Sequence, residues 1–388
     1  MDSAREPASE RAFNIILLNA LARAFSQDSL RVRSTLANLA LAAVSTGFVL
    51  LLWLGAEAVL QRVNPRYLER LSLDDMSYLH VYSETYGWLP RRGFHLKLAG
   101  WPETKINARG YRGREYPHAR TPGKLRVVML GDSLAFGYGV ADEEVSSRQL
   151  EELVPGIEVV NLAVQGYGTD QSLLRFEREG LLFQPHVAIL NFCLANDFRD
   201  NAASRAIYDG AYPKPYFKLE QGRLVLHREH VKLSPLQRLG LFLHQRSILF
   251  NEMQRRVTNG PSKADDGAQA EYPPDRELTV ALLQGLAEVS RAHRVRLIVA
   301  IYPTLREFIK PSRRPRVILD AAGLEDVMRV DLRPRLQARG VIEQTFSEYA
   351  LDGAFHANAR GNRVVAEILA DLLREAGAFH EVNDQPQP

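Results

Sequence analysis

Two residues in this sequence have the side chains and settings that acyl-transfer chemistry requires. Ser133 lies in LRVVMLGDSLAFGYGV, Leu125 to Val140, and His356 lies in LDGAFHANARGN. A serine hydroxyl becomes a nucleophile when a base removes its proton, and that base needs an acid to hold its ring. Asp352 stands just before His356, so one loop supplies both base and orienting acid. The oxyanion that develops on the substrate needs donors as well. Three are available: the backbone N–H of Ser133 at the opening of a helix, Gly166 in AVQGYGTDQ, and the side-chain amide of Asn196 in HVAILNFCLAND. At Gly166 no side chain keeps the backbone from a substrate. Taken alone, Ser133 could equally be half of an ordinary Asp-Ser helix cap; the company of the other segments favours chemistry.

Those groups must be carried by rigid elements. Apolar runs at Leu125–Leu130, Glu158–Leu162, His186–Phe192, Arg296–Tyr302 and Met328–Asp331 read as buried strands. Helical patterns fall between or after them at Glu143–Leu153, Thr169–Gly180, Asp275–His293 and Gly361–Arg374. This alternation predicts an α/β fold, a parallel sheet covered on both faces. Ser133, Gly166 and Asn196 then sit at the carboxyl edges of three strands, where open α/β sheets place their sites. Between Asp197 and Pro274 the rhythm breaks. That insertion holds a strand signal at Leu224–Leu226, a helix-like SPLQRLGLFLHQRSILFNEMQRR and a polar Gly/Pro-rich loop expected to be mobile, and it is the candidate lid or acceptor surface.

Ahead of this body, Ser34 to Ala56 is a stretch of 23 residues without a charge, long enough to cross a bilayer as one helix. Ala56-Glu57-Ala58 also has the small-x-small form of a cleavage site, but 33 residues precede the run, which favours an uncleaved anchor. Arg31 and Arg33 before it and Arg62, Arg66 and Arg70 after it nearly balance, and only the closer pair favours a cytoplasmic amino terminus. Ala12–Phe25 has the spacing of a helix along the membrane surface, and Gln61–Thr85 reads as a polar-faced helix in the connector. The expected division is a tail over 1–33, the span over 34–60, a connector over 61–124, the body over 125–378 with its insertion at 198–274, and a disordered end over 379–388.

Composition excludes other classes. A formal charge of +3 over 388 residues is too small for nucleic-acid binding, and the cluster Arg313, Arg314, Arg316 has no interleaved aromatics. One cysteine, Cys193, permits no internal disulfide and reads as a buried thiol. His227 and His230 lack a third ligand at metal spacing, so neither metal nor cofactor is expected. No phosphate-binding loop, dinucleotide fingerprint or Gly-x-Ser-x-Gly elbow is present. Asp132, Asp170 and Asp197 read as local caps or braces.

Together the four chemical segments resemble the SGNH, or GDSL, hydrolase superfamily. GDSL at Gly131–Leu134 resembles its first block, with Ser133 in the nucleophile position; NLAVQG, Asn161–Gly166, resembles the second, with Gly166 as oxyanion-hole glycine. Ala195-Asn196-Asp197 resembles the third, usually written with glycine first, which makes Asn196 the oxyanion-hole amide, and HANARGN resembles the last, with His356 as base. The family's acid precedes the histidine by three residues, whereas Asp352 precedes His356 by four. The resemblance covers roughly Tyr86 to Ala378 and implies a three-layer sandwich with a central parallel sheet and a cofactor-free ester hydrolase. INARGYRG and GYGTDQ are similar to membrane-tethered members among bacterial envelope and exopolysaccharide proteins. That implies an acyl ester of a cell-envelope glycan as substrate and a body on the periplasmic side of the cell membrane. Two alternatives stay open: an O-acyltransferase moving an acetyl group onto an exopolysaccharide, and a catalytically weak assembly subunit that keeps the fold.

Overall fold

The computed structural model describes residues 8–65, 79–97, 101–205, 212–228, 231–244, 246–258, 276–351 and 356–379. They fall into two compact units. The smaller comprises, of the described residues, 8–65 and 247–257, and its main element is a single helix, Ala8–Val63, that takes in both amino-terminal helical segments expected from sequence. Within it Thr35–Val63 is long and apolar enough to cross a membrane, with a mean hydropathy of 2.1 over its most apolar window. Its second segment is Ser247 with helix Ile248–Thr258 as far as Val257. Its first turn is capped by the buried carboxylate of Glu57, which accepts from Ser247 Oγ at 2.7 Å and from the N–H groups of Ile248 and Leu249 at 2.8 and 3.1 Å.

The larger unit is the α/β body. Its sheet has five strands, β1 (Leu125–Gly131), β2 (Ile157–Asn161), β3 (Val187–Cys193), β4 (Arg296–Tyr302) and β5 (Met328–Asp331), in the order β5-β4-β3-β1-β2. Every pairing is parallel. Both faces are covered, as a parallel sheet requires. Leu125, Val127 and Met129 of β1 point into a core completed by helices Ser146–Leu153, Leu332–Gln337 and Ala359–Glu375. Val128 and Leu130, the alternate residues, point into a second core with helices Thr169–Arg178, Arg276–Ala292 and Arg314–Leu319. The strands therefore read as unbroken apolar runs rather than alternating ones.

The chain reverses its direction of winding between β1 and β3, which opens a crevice at their carboxyl ends. Gly131 is what lets the two strands close there. Its φ is +137°, and a Cβ at this position would stand 2.8 Å from the Asn191 carbonyl oxygen of β3.

The connector differs from the expected polar helix. Residues 66–78 lie outside the described residues, and His80–Ser83 forms an antiparallel hairpin with Gly87–Pro90 instead. Four residues of β-rich composition followed by Glu84, Thr85, Tyr86 and a Gly87 at φ +90° make a hairpin signal that helical periodicity obscured. The insertion holds a second hairpin, Tyr216–Glu220 with Arg223–His227, and helix Pro235–His244, while residues 259–275 of its polar loop and the carboxyl end after residue 379 lie outside the described residues.

Gly131→Ala is expected to lose about 2 kcal/mol or more of stability, since the new methyl meets backbone rather than a movable side chain and φ is left-handed. The urea midpoint of the full chain in detergent checks it; an unchanged midpoint would show that the β1/β3 contact is slack.

Candidate active site

Ser133 opens a one-turn helix, Ser133–Phe136, directly after β1. Asp132 caps it: its Oδ1 accepts from Leu134 N–H at 2.9 Å. The turn ends in Gly137 at φ +82°, where the N–H groups of Gly137 and Tyr138 return to the Ser133 carbonyl at 3.1 and 3.0 Å. This tight wrapping lifts the hydroxyl clear of the sheet edge and leaves the side chain partly exposed. Among the described residues, neither the Ser133 nor the Gly166 N–H donates to another protein group.

His356 arrives from 223 residues further along the chain, and its Nε2 lies 2.9 Å from Ser133 Oγ. That is hydrogen-bond distance for a hydroxyl giving its proton to an imidazole. The ring is held by its loop. Leu351 N–H donates to the His356 carbonyl at 2.7 Å, Ala350 bridges Ala357, and two residues on Asn358 caps helix Ala359–Glu375 by accepting from Gly361 N–H at 3.0 Å. Tyr138 packs against the imidazole with ring centres 4.7 Å apart, and Trp101 backs Tyr138 edge-on at 5.3 Å. Asp352 lies outside the described residues.

Gly166, in the loop after β2, takes φ +75°. The connector hairpin pins this loop from two sides: Trp88 Nε1 donates to the Gln165 carbonyl at 2.9 Å, and Tyr167 OH donates to the Trp88 carbonyl at 2.5 Å. Asn161, at the end of β2, donates to the Ala135 carbonyl at 2.7 Å and to Ser147 Oγ at 3.1 Å, which fixes the nucleophile turn from below.

Asn196 sits in a polar cage. Its Nδ2 donates to Asp132 Oδ2 at 3.0 Å and to Asp200 Oδ2 at 2.9 Å, and its buried Oδ1 has no partner among the described residues. Both amide hydrogens are thus committed to carboxylates. Asn196 would serve an oxyanion only by releasing one of them, whereas the Ser133 and Gly166 N–H groups are unengaged among the described residues.

Four buried aspartates surround this point: Asp132, Asp170 and Asp197, which the sequence offers as local caps or braces, and Asp200, which sequence reading did not single out. Asp197 accepts from Cys193 N–H at 2.5 Å and from Thr169 Oγ1 at 3.3 Å, bracing the loop after β3. Asp170 pairs with Lys214 at 2.5 Å, and the same ammonium donates to the Asp200 carbonyl at 2.6 Å. Lys214 belongs to the insertion, so that segment supplies the one buried ammonium described in the cluster. Burial is the first cause pushing the carboxyls of Asp132, Asp170 and Asp197 above the ordinary range, and the charge of Asp132 adds to the rise at Asp197. For Asp200, burial outweighs Arg199 and Lys214 and raises it to about 7.

Arg112 is a further functional residue that sequence reading passed over. Fully buried, it donates to the Phe136 carbonyl at 3.2 Å, the Val140 carbonyl at 2.5 Å and Asp142 Oδ1 at 2.9 Å, and also bonds the Gly137 carbonyl. One guanidinium therefore ties down the whole return from the nucleophile turn. Its signal, an Arg in the Gly-rich INARGYRG, is visible in sequence but gives no hint of its target. Among the described residues no cluster of His, Cys, Asp and Glu could hold a metal ion; His227 Nε2 contacts Glu220 at 2.8 Å, and His230 lies outside them.

No family model matches the chain, and no curated protein matches it. Among solved structures it is similar to a member of the lipolytic protein G-D-S-L family from Veillonella parvula (12% identity, TM-score 0.37, 64% of this chain and 98% of that one). It is similar also to a lipase/acylhydrolase from Enterococcus faecalis (11%, TM-score 0.37, covering 65% and 96%) and to a GDSL-like lipase from Bacteroides thetaiotaomicron (13%, 0.35, covering 65% and 88%). What the site can do follows from the Ser133 and His356 geometry.

Between its ordinary 3.8 and about 7, the folded chain keeps a proton on Asp200 that the unfolded chain has released. The group's contribution to stability therefore falls as pH rises through that window. Asp200→Asn is expected to melt higher than the unsubstituted chain near pH 8, with the difference shrinking towards pH 4. Thermal unfolding across pH checks it; a difference independent of pH would contradict it.

Proposed function

We propose that the chain is a serine-dependent esterase acting on acyl esters. The observation that carries this reading is the 2.9 Å hydrogen bond between Ser133 Oγ and His356 Nε2. In the first half-reaction Oγ attacks the ester carbonyl while Nε2 takes its proton. The tetrahedral oxyanion is met by the N–H groups of Ser133 and Gly166, with Asn196 as a further donor when it releases a carboxylate. Collapse expels the alcohol, which carries away the proton that His356 returns, and leaves an acyl group on Oγ. Water then attacks that ester with His356 as base, and the acid and free serine are restored. Asp352, in this reading, orients the imidazole from its own loop.

The finer reading is an acyl ester of a cell-envelope glycan, processed by a body tethered to the membrane through Thr35–Val63 and exposed on the periplasmic side. Two features support it: the length and apolarity of that helix, and the partial exposure of both Ser133 and His356, which suits a bulky substrate offering one ester at a time.

The full chain in detergent is expected to hydrolyse a small activated acetyl ester, and Ser133→Ala or His356→Ala is expected to lower kcat/KM by about 1,000-fold or more. Hydrolysis that survives Ser133→Ala unchanged would overturn the reading.

A further inference from the structure

Helix Pro235–His244, PLQRLGLFLH, has two unlike faces. Leu241 packs against one of the two cores of the body. On the opposite side, Leu236, Leu239, Phe242 and Leu243 fall within about 120° of the helix circumference. Leu236, Leu239 and Phe242 are 77%, 50% and 50% exposed, which makes this helix the densest group of exposed large apolar side chains in the larger unit's described residues.

Charge says what covers them. The helix has no acidic residue, and from Val231 to Thr258 the chain carries five Lys or Arg (Lys232, Arg238, Arg246, Arg255, Arg256) against one acid, Glu252. The Arg246 guanidinium lies 4.5 Å from the centre of the Phe242 ring, the posture of a cation held at headgroup level above a buried aromatic. Position along the chain agrees. Glu57 directly follows the uncharged run of the candidate span, and it caps Ser247, Ile248 and Leu249. Helix Ile248–Thr258 therefore starts at the level where the span leaves the hydrocarbon. His244 is three residues of chain before Ser247, a reach of about 10 Å at most.

We propose that helix Pro235–His244 lies on the bilayer surface, with Leu236, Leu239 and Phe242 among the acyl chains and the flanking Lys232 and Arg246 at anionic headgroups, Arg238 being paired with Glu84. The insertion thus forms a second membrane contact in addition to the span. This rests on the reading of Thr35–Val63 as a membrane anchor, and its test must separate the two.

Cys193 is fully buried, so single nitroxide labels can be introduced at Leu239→Cys, Leu236→Cys, Leu50→Cys and Lys218→Cys in the full chain reconstituted in vesicles containing anionic lipid. Collisions with oxygen and with a water-soluble nickel chelate then report depth. At Leu236 and Leu239 the nickel collision rate should fall about five-fold or more below that at the exposed Lys218, while oxygen collisions stay high, as for a side chain in the acyl region. Leu50 should read deeper still. Nickel access at Leu236 and Leu239 equal to that at Lys218, with Leu50 deep, would overturn the surface helix and leave the anchor standing. Low access to both reagents would mean that protein, such as a second copy, covers this face, and would overturn it too. A water-exposed Leu50 would overturn the anchor and the surface helix together.

Discussion

A hydroxyl and an imidazole 223 residues apart must meet within hydrogen-bond distance, and most of what is specific in this body serves that meeting. Neither group reaches the other from a long flexible loop. Ser133 stands two residues beyond Gly131, where β1 and β3 approach too closely for any side chain, and His356 stands two residues before the cap of the last helix. Helix Ala359–Glu375 packs on the same core as β1, so the apolar surface that holds the sheet together also sets the distance between base and nucleophile.

Around that pair the polar contacts are unusually long in sequence separation. Arg112 reaches forward to the Phe136–Val140 return, Asn161 reaches back beneath the Ser133 turn, and Trp88 reaches across to the loop of Gly166. Each fixes a backbone segment that has no regular partner of its own. The buried aspartates play a different part. Asp132 and Asp200 hold Asn196, Asp197 braces the loop after β3, and Lys214 relieves one of the negative charges. Burial makes full ionisation of such a group costly, so the polar floor of the site is sensitive to pH in a way that the apolar cores are not.

The parallel sheet was legible because four of its five strands are largely apolar runs of five to seven residues separated by helical periods. Ser133, Gly166, Asn196 and His356 could be picked out because each stands at a strand end or before a helix, where the residue type is informative. Pairwise engagement was not legible. Nothing in the spacing says that both hydrogens of the Asn196 amide are given to Asp132 and Asp200, or that Arg112 clamps carbonyls beyond β1, since those contacts depend on where strands stack rather than on local pattern. The first strand of the connector hairpin, His80–Ser83, fell within the helix expected over Gln61–Thr85, because a short amphipathic stretch fits both periods until the turn glycine that follows is weighed. Helix Pro235–His244 showed its apolar spacing in sequence, yet which face was left uncovered depended on the packing of Leu241.

The most direct measurement is covalent. Treating the full chain in detergent with a fluorophosphonate, which captures a serine only when its oxygen is activated, and locating the adduct by peptide mass spectrometry reads the state of Ser133 itself. The account predicts a single adduct on Ser133, formed rapidly in the unsubstituted chain and nearly abolished in His356→Ala. An unmodified Ser133 in a folded, ester-hydrolysing chain, or an adduct there that forms equally fast without the imidazole, would contradict it.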